Sequence, residues 1–382
     1  MRAVDPAADD TPAVTVRAGA YTERLVVDRP LKLIAAGSAG DVRVIGVAGP
    51  ALTVSADAGT VQGLRVEAAA GEFALVIERG SMVVEDCEIL GDVRISADAT
   101  PTLRRCRVTG GTLFLEDASQ AILEGCVLAE AHRDGLVVRG DAAPTVSRTR
   151  IDGPNGNGIL FADSARGALT DCEITRPAGA GVTVRGTAAP ALRELTVREP
   201  GGDGFRIDGL GDGVPVRAGG GVVLEKCAVV RPAGTGVIVS GSAAVLLRET
   251  TVSEPAEAGV LAADGSEVHL EGCTIRRSAT SALVARDRAS VVADRLVLDH
   301  ADGNGLLAEG TASVRMSEPE IGHTGRSAVH VAGRAEVTML GGVLHDTSGF
   351  GLRVVDEAMA VADGTEITEA ATAGIGVENR GD

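Results

Sequence analysis

The residues with the clearest chemical potential are histidines and aspartates near the end of the chain. They are His300, His323, His345 and Asp346, with Asp299 and Asp302 alongside. Imidazole titrates near neutral pH and can act as a general acid or base or bind a divalent metal. Because the chain has no His-x-His or His-Glu-x-x-His spacing, we predict no metal centre and take the first four as candidate catalytic residues.

A glycine-rich insertion at residues 209–221 is the second candidate site. The charged residues on and beside it are Asp203, Arg206, Asp208, Asp212 and Arg217. Loops that leave a repetitive fold often form its binding face, so we expect these residues to bind a ligand. A solvent-exposed bulge without a ligand is the alternative. The glycines match neither the Walker nor the Rossmann pattern, so we predict no phosphate-binding loop and no cofactor.

A 23-residue repeat must position these residues. Segments that begin 23 residues apart, as at Ile159 and Val182, align along their whole length. The interval from Phe205 to Val237 is 32 residues, which is one unit plus nine. Fourteen units cover residues 51–374, and a partial unit follows. Residues at the same position in successive units therefore form columns along the molecule, and we searched these columns for a functional site.

The pattern of residue types within each unit predicts an all-β solenoid. Short segments of alternating apolar and polar residues are separated by Gly, Pro and Asp, which is typical of short strands. The leucine-rich signature and a six-residue apolar period are both missing, so we predict a right-handed parallel β-helix of about 14 coils. Residues 1–50 form an entry segment with a first coil or cap, and residues 51–382 form one continuous domain.

Six cysteines share one column of the repeat. They are Cys87, Cys106, Cys126, Cys172, Cys227 and Cys273. A metal or redox ladder is one interpretation, and Cys87, Cys106 and Cys126 are close enough in sequence for a disulfide. No histidine shares the column and no Cys-x-x-Cys occurs. We therefore predict that the thiols point inward as small hydrophobes.

Another column alternates in charge along consecutive units. Its members are Arg176, Glu199, Arg231, Glu254 and Arg277. Like charges stacked at one strand spacing would repel, so alternation is what a solvated face requires. We predict a structural stripe of ion pairs here.

Composition excludes several classes of function. The chain has 382 residues, a formal net charge of −17, 2% aromatic residues and no Trp. Such a surface repels phosphate and anionic lipid, so we expect no nucleic-acid partner and no membrane partner. The acidic N-terminus has no apolar signal region, which favours a cytoplasmic location. Scarce aromatics argue for a narrow interior and against binding by aromatic stacking.

The segment VRAGAYTERLVVDRPLKLIAAG (16–37) resembles the entry segment of right-handed parallel β-helix proteins. The units, with Cys-x-Ile or Cys-x-Val and a closing Gly-x-Gly, are similar to the pectate-lyase-like PbH1 repeats of the NosD and CASH class. The nearest likeness is to actinobacterial β-helix proteins, many of which carry an AAA ATPase module. No Walker motif, polygalacturonase cluster or pectate-lyase Arg-x-Pro-x-x-Arg pattern is present, so the resemblance implies a fold and no catalytic residue.

Two functions remain open from the sequence. The first is a non-catalytic binding or scaffold module for protein–protein interaction or assembly. A β-helix end exposes unpaired strand edges, so we expect a protein partner or a second subunit, as in a homo-oligomer, to cover the C-terminal coil. The alternative is a lyase, hydrolase or isomerase that acts on a carbohydrate or a small natural-product-like substrate in a lateral cleft. The sequence favours the first, without excluding an enzyme.

Overall fold

The strands of the repeat stack into a parallel β-solenoid. A computed structural model describes residues 11–38, 40–209 and 221–378, and every regular element in these ranges is a β-strand. No helix in the described ranges is long and apolar enough to cross a membrane. The all-β prediction is therefore confirmed.

Each coil contributes two strands to a 30-stranded sheet, called sheet A, and one strand to a 16-stranded sheet, called sheet B. The first row of sheet A contains Ala13–Val16, Leu31–Ala35, Gly59–Gln62, Val83–Glu85, Thr102–Arg104, Ile122–Glu124, Thr145–Ser147, Ala168–Thr175, Ala191–Arg198, Val222–Glu225, Ala244–Arg248, Glu267–Glu271, Ser290–Asp294, Ser313–Ser317, Glu336–Leu340 and Met359–Asp363. The second row shares Ala168–Thr175 and Ala191–Arg198 and adds Gly19–Thr22, Val42–Ile45, Arg65–Glu67, Glu88–Leu90, Arg107–Thr109, Val127–Ala129, Arg150–Asp152, Ala228–Val230, Thr251–Ser253, Thr274–Ser278, Val297–Ala301, Glu320–Thr324, Val343–Thr347 and Glu366–Ile367.

Sheet B closes each coil on the other side of the core. Its strands are Leu25–Val27, Leu52–Val54, Phe73–Ile77, Asp92–Ile95, Leu113–Leu115, Leu136–Val138, Ile159–Phe161, Val182–Gly186, Phe205–Gly209, Val237–Ser240, Val260–Ala262, Leu283–Ala285, Leu306–Ala308, Val329–Val331, Phe350–Val355 and Ala373–Glu378. The β-branched residues that fill these strands suit a pleated, half-buried surface.

The ladder follows the 23-residue period. Ile159 pairs with Val182, and Val182 pairs with Phe205. Phe205 then pairs with Val237, although 32 residues separate them. The register of sheet B is therefore unchanged across this longer interval. Strands also occur within residues 1–50, where Ala13–Val16 pairs with Leu31–Ala35. The domain boundary at residue 50 stays a prediction.

A narrow apolar column runs through the middle of the coils. Phe161 and Phe205 are its largest fully buried side chains. All six cysteines are buried and free, as their column predicted. Burial raises the pKa of the Cys227 and Cys273 thiols to about 11, so these groups stay protonated and unreactive at neutral pH.

The corner that ends the second row of sheet A has an unusual backbone. Nine of its residues adopt left-handed φ angles between 49° and 56°. They are Arg176, Glu199, Arg231, Glu254, Arg277, His300, His323, Asp346 and Glu369. A non-glycine residue in this conformation costs about 1–2 kcal/mol. The turn directs these charged side chains out of the coil, and it places the predicted ion-pair stripe and two of the histidines on one edge.

The last described strand of sheet B, Ala373–Glu378, has two exposed apolar side chains. Ile375 is 59% exposed and Val377 is 75% exposed. A protein partner or second subunit on this coil stays a prediction.

Candidate functional site

The predicted histidines and aspartates meet on three consecutive coils. Asp299, Gly322 and His345 are register neighbours on the strands Val297–Ala301, Glu320–Thr324 and Val343–Thr347. His300, His323 and Asp346 follow them at the left-handed corner. We call Asp299, His300, His323, His345 and Asp346 the His–Asp cluster. Asp302 lies beyond it, in the turn after Ala301.

Asp299 joins the first two histidines of the cluster. Its Oδ1 accepts hydrogen bonds from His300 Nδ1 at 2.7 Å and from His323 Nδ1 at 2.9 Å. The two imidazole rings stack with centroids 4.3 Å apart and planes inclined by 12°. Burial raises the pKa of Asp299, but the hydrogen bonds from both histidines outweigh it and leave that pKa below its ordinary value.

Asp346 joins the second and third histidines in the same manner. Its Oδ2 accepts a hydrogen bond from His345 Nδ1 at 2.8 Å and lies 3.7 Å from His323 Nε2. The rings of His323 and His345 are nearly perpendicular, at 88° with centroids 5.5 Å apart. The hydrogen bond from His345 is the main cause that lowers the pKa of Asp346. The cluster is thus a chain of alternating imidazoles and carboxylates.

Gly322 makes room for the third histidine. A Cβ atom on Gly322 would lie 2.3 Å from His345 Cε1 and 2.5 Å from His345 Nε2. The missing side chain lets the His345 ring lie against the backbone of the preceding coil. We did not single out this glycine from the sequence.

A lateral cleft of about 510 Å³ opens on the same coils, over the outer face of sheet B. We call it the lateral cleft, and its lining residues are Asn304, Leu307, Glu309, Gly325, Arg326, Ser327, His330, Ser348, Gly349, Phe350 and Arg353. Its volume lies in the range of small-molecule sites. Its floor comes from the strands Leu306–Ala308, Val329–Val331 and Phe350–Val355, and the turns before those strands supply its wall.

The floor of the cleft consists of Leu307, His330 and Arg353, which are register neighbours. Burial, and then the positive charge of Arg353, lower the pKa of His330 below its ordinary value. Arg353 lies over the Phe350 ring, with 5.5 Å from its guanidinium carbon to the ring centroid. Its Nη2 donates to Glu378 at 2.8 Å. Within the described ranges, its buried Nε has no hydrogen-bond partner.

The described residues predicted around the insertion, Asp203, Arg206 and Asp208, do not line this cleft. Asp203 is buried, accepts a hydrogen bond from the Thr235 backbone N–H at 2.9 Å and pairs with Arg206. Asp208 accepts one from the Ser240 hydroxyl at 2.8 Å. These three side chains therefore stabilise the turn and strands beside the insertion. Asp212 and Arg217 lie outside the described residues, so their ligand-binding role stays a prediction.

The predicted ion-pair stripe forms in part. Arg231 pairs with Glu199, and Arg277 pairs with Glu254 at 2.7 Å. Arg176 instead bonds Asp152 of the preceding coil at 2.8 Å. Arg176 stands at the same corner, and its charge is among the causes that lower the pKa of Glu199, so its place in the stripe stays a prediction.

The sequence contained a signal for the lateral cleft that we did not use. The outward position at the centre of each sheet B strand is apolar in Ile238, Leu261, Val284 and Leu307. The next two units place His330 and then Arg353 there. We did not select His330 from the sequence, because we followed the column of residues at the corner and not the column at the centre of the sheet B strands.

Comparisons with known proteins identify the fold. A periplasmic alginate epimerase has a similar solved structure, with a TM-score of 0.50 and 10% identity, covering 79% of this chain and 76% of that one. The receptor-binding protein of bacteriophage Det7 gives a TM-score of 0.48 and 13% identity, covering 80% and 72%. At such identities the likeness shows the fold alone. A search of curated proteins found no match.

The family model for the right-handed β-helix region matches residues 51–199 and 192–318, which together exceed half of the chain. This confirms the right-handed prediction for the solenoid. The finer likenesses to NosD and CASH repeats and to proteins fused to an AAA module stay predictions. The chain belongs to the right-handed β-helix family.

Proposed function

We propose that the lateral cleft binds a carbohydrate that carries carboxylate groups, and that the protein acts on it as a lyase or epimerase. The observation that carries this proposal is the convergence of one imidazole and two guanidinium groups, from His330, Arg326 and Arg353, on a single cleft of about 510 Å³. This is the enzyme alternative of the sequence analysis, with the site moved from the corner to sheet B.

The binding argument rests on charge and on one aromatic ring. Arg326 and Arg353 offer planar donors that match the geometry of a carboxylate. Phe350 contributes an apolar surface, and Asn304 contributes an amide, both at the edge of the cleft. Composition argued against aromatic contacts, but one of the five phenylalanines stands here.

His330 supplies the base for the proposed reaction. Its lowered pKa keeps the imidazole neutral at pH 7, so it is available as a base. The C–H bond next to a uronate carboxylate becomes more acidic when a guanidinium neutralises the developing negative charge. His330 then takes that proton and the electron pair moves into the carboxylate. In a lyase, the electron pair then forms a carbon–carbon double bond as the C–O bond on the next carbon breaks, and the leaving oxygen takes the proton from His330. In an epimerase, a solvent proton adds to the opposite face of the carbon, and His330 releases its own proton to solvent.

Hydrolysis is less well supported by the lining of the cleft. Glycoside hydrolases use a pair of carboxylic residues that flank the bond to be broken. Among the described lining residues of the lateral cleft, Glu309 is the one carboxylate. Glu378 is near but pairs with Arg353. Proton abstraction therefore fits the residues better than hydrolysis.

The comparisons support a carbohydrate function more than a scaffold. A structure of the same fold belongs to an alginate epimerase, so the scaffold is compatible with a polysaccharide substrate. That likeness shows no shared residues. The proposal depends on the cleft of this chain.

Deuterium incorporation tests the proposal. The protein is incubated in D2O with a panel of polyuronates, and the sugars are examined by mass spectrometry and NMR for deuterium at the carbon next to the carboxylate and for unsaturated products. We expect exchange or elimination with wild type and a loss of about 100-fold or more with His330→Gln, as for removal of a general base.

The matched control is His269→Gln, because His269 is an exposed histidine on sheet A, away from the cleft. It should react like wild type. Equal rates for His330→Gln and wild type would contradict the role of His330. A reaction with neutral glycans but not with polyuronates would contradict the substrate class.

A further inference from the structure

We propose that His323 Nε2, His345 Nδ1 and Asp346 Oδ2 form a binding site for a divalent transition-metal ion of the zinc type. The site lies on the left-handed corner and shares no residue with the lateral cleft. It therefore goes beyond the carbohydrate function, and it replaces our prediction from sequence that the histidines hold no metal.

The spacing of the three donor atoms suits a zinc ion. Asp346 Oδ2 lies 2.8 Å from His345 Nδ1 and 3.7 Å from His323 Nε2. Donors bound tetrahedrally at zinc distances are about 3.3 Å apart. The rings of His323 and His345 are inclined at 88°, so their nitrogen lone pairs can converge on one point. The ion would replace the proton that His345 Nδ1 donates to Asp346 Oδ2, so binding would release that proton to solvent and leave the other proton of the neutral ring on Nε2.

Asp299 orients His323 for this role. It accepts a hydrogen bond from His323 Nδ1 at 2.9 Å, which leaves the lone pair of the neutral ring on Nε2. That lone pair faces the Asp346 carboxylate across 3.7 Å, so an acceptor faces an acceptor. A cation bound between the His323 nitrogen and the Asp346 carboxylate would remove the repulsion between these two acceptors. A carboxylate on the far nitrogen of a ligating histidine is the common outer-shell arrangement of metal sites.

The three side chains offer a zinc-type donor set. His323, His345 and Asp346 supply two imidazole nitrogens and one carboxylate oxygen, whose ligand atoms all lie within 4.8 Å of one another. Zinc sites with three protein ligands carry water in the fourth position. Imidazole donors favour zinc, copper or nickel over calcium and magnesium.

Gly322 provides the space that holds one ligand of the site in place. Its missing side chain accommodates the His345 ring, and a Cβ atom would lie within 2.8 Å of three ring atoms. The φ of Gly322 is not in the left-handed region, so alanine could adopt its backbone. Gly322→Ala should therefore displace His345 without removing a ligand or straining the backbone.

A rival site on the same cluster uses Asp299, His300 and His323. Their ligand atoms also lie within 4.8 Å of one another. Both Nδ1 atoms of that group already donate to the same Asp299 Oδ1, whereas His323 Nε2 faces the Asp346 carboxylate at 3.7 Å. The geometry therefore favours the site at His345, and His300 serves as the control.

Calorimetry with Zn2+ alone, followed by the absorption spectrum of the Co2+-loaded protein, tests the proposal on the full chain. Wild type should bind one ion per chain and give a tetrahedral or five-coordinate Co2+ spectrum. His323→Gln, His345→Gln and Gly322→Ala should lose this binding, and Asp299→Asn should weaken it about 10–100-fold. His300→Gln should bind like wild type.

Three results would overturn the assignment. They are a wild-type protein that binds no Zn2+, a His345→Gln variant that binds as wild type does, and loss of binding in His300→Gln alone. Circular dichroism of each variant shows that it folds. Because the readout is metal binding without a sugar, failure here leaves the carbohydrate proposal standing, and the reverse also holds.

Discussion

At the scale of single residues, two histidines in adjacent environments have different chemistry. His330 is half-buried beside Arg353, and both effects lower its pKa. His323 is 46% exposed and is held between two carboxylates. Desolvation and the nearby cation both disfavour an imidazolium at His330, whereas the two carboxylates beside His323 can attract a cation. The first residue therefore suits a base and the second suits an ion-binding role.

The pH profile of the reaction follows from His330. Its base form is the neutral imidazole, and its pKa lies below the ordinary value of 6.5. Activity on a polyuronate should therefore rise with pH through an apparent pKa below 6.5 and reach a plateau before neutral pH. We expect Arg353→Ala to move this apparent pKa upward, because it removes a positive charge from beside the imidazole.

Rate measurements across pH check this, with His269→Gln as the control that should keep the wild-type profile. A midpoint above 6.5 in wild type would show that another group is the base. An unchanged midpoint in Arg353→Ala would show that its charge does not act on His330.

At the scale of elements, the corners of the coil explain why the strands end where they do. One corner follows the first row of sheet A and holds Gly272, Arg295, Glu318 and Gly341 in consecutive coils, all with positive φ. Glycine adopts this conformation without penalty, whereas a residue with a Cβ atom pays a steric cost. Charged residues at the same position are tolerated because the ladder on both sides holds the backbone.

Opposite substitutions at this corner should change the free energy of unfolding in opposite directions. Gly272 has a φ of 59°, and no atom lies within 4 Å of the place that a Cβ atom would take, so the cost of Gly272→Ala is conformational only. We expect Gly272→Ala to lower the free energy of unfolding by about 1 kcal/mol. Glu318→Gly, at a φ of 48°, should leave it unchanged or raise it by up to about 1 kcal/mol.

Urea denaturation of both variants and wild type measures these changes. If Gly272→Ala were as stable as wild type while Glu318→Gly lost stability, the corner would not be strained. Any change in the denaturant slope would call for a second measurement by thermal unfolding.

The period, the inward cysteine column and the pairing of Phe205 with Val237 could all be predicted from the sequence, because a solenoid repeats its local pattern. The left-handed corners could not, since Arg, Glu and His carry no signal for positive φ. Gly322 was missed because its role depends on the His345 ring of the next coil. The ion pair of Arg176 with Asp152 was missed because it joins two columns of the repeat, which a single column does not reveal.

At the scale of the whole molecule, a net charge of −17 would disfavour an acidic polysaccharide. The lateral cleft offsets this locally, because the guanidinium groups of Arg326 and Arg353 balance the carboxylates of Glu309 and of Glu378, which pairs with Arg353. Because charges are screened beyond about 10 Å at ordinary salt, the local set decides recognition inside the cleft. The long rod supplies the rigid strands on which these groups stand.

The most direct test of the central claim is calorimetric binding of an oligouronate and of the same oligosaccharide with its carboxylates reduced to alcohols. Wild type should bind the acid form saturably at one site per chain and the reduced form at least about 10-fold more weakly, since hydrogen bonds to charged groups are worth about 1.5–3 kcal/mol. Arg353→Ala should lose this preference. Equal binding of the two sugars by wild type, or an Arg353→Ala variant that still prefers the acid form, would contradict the account.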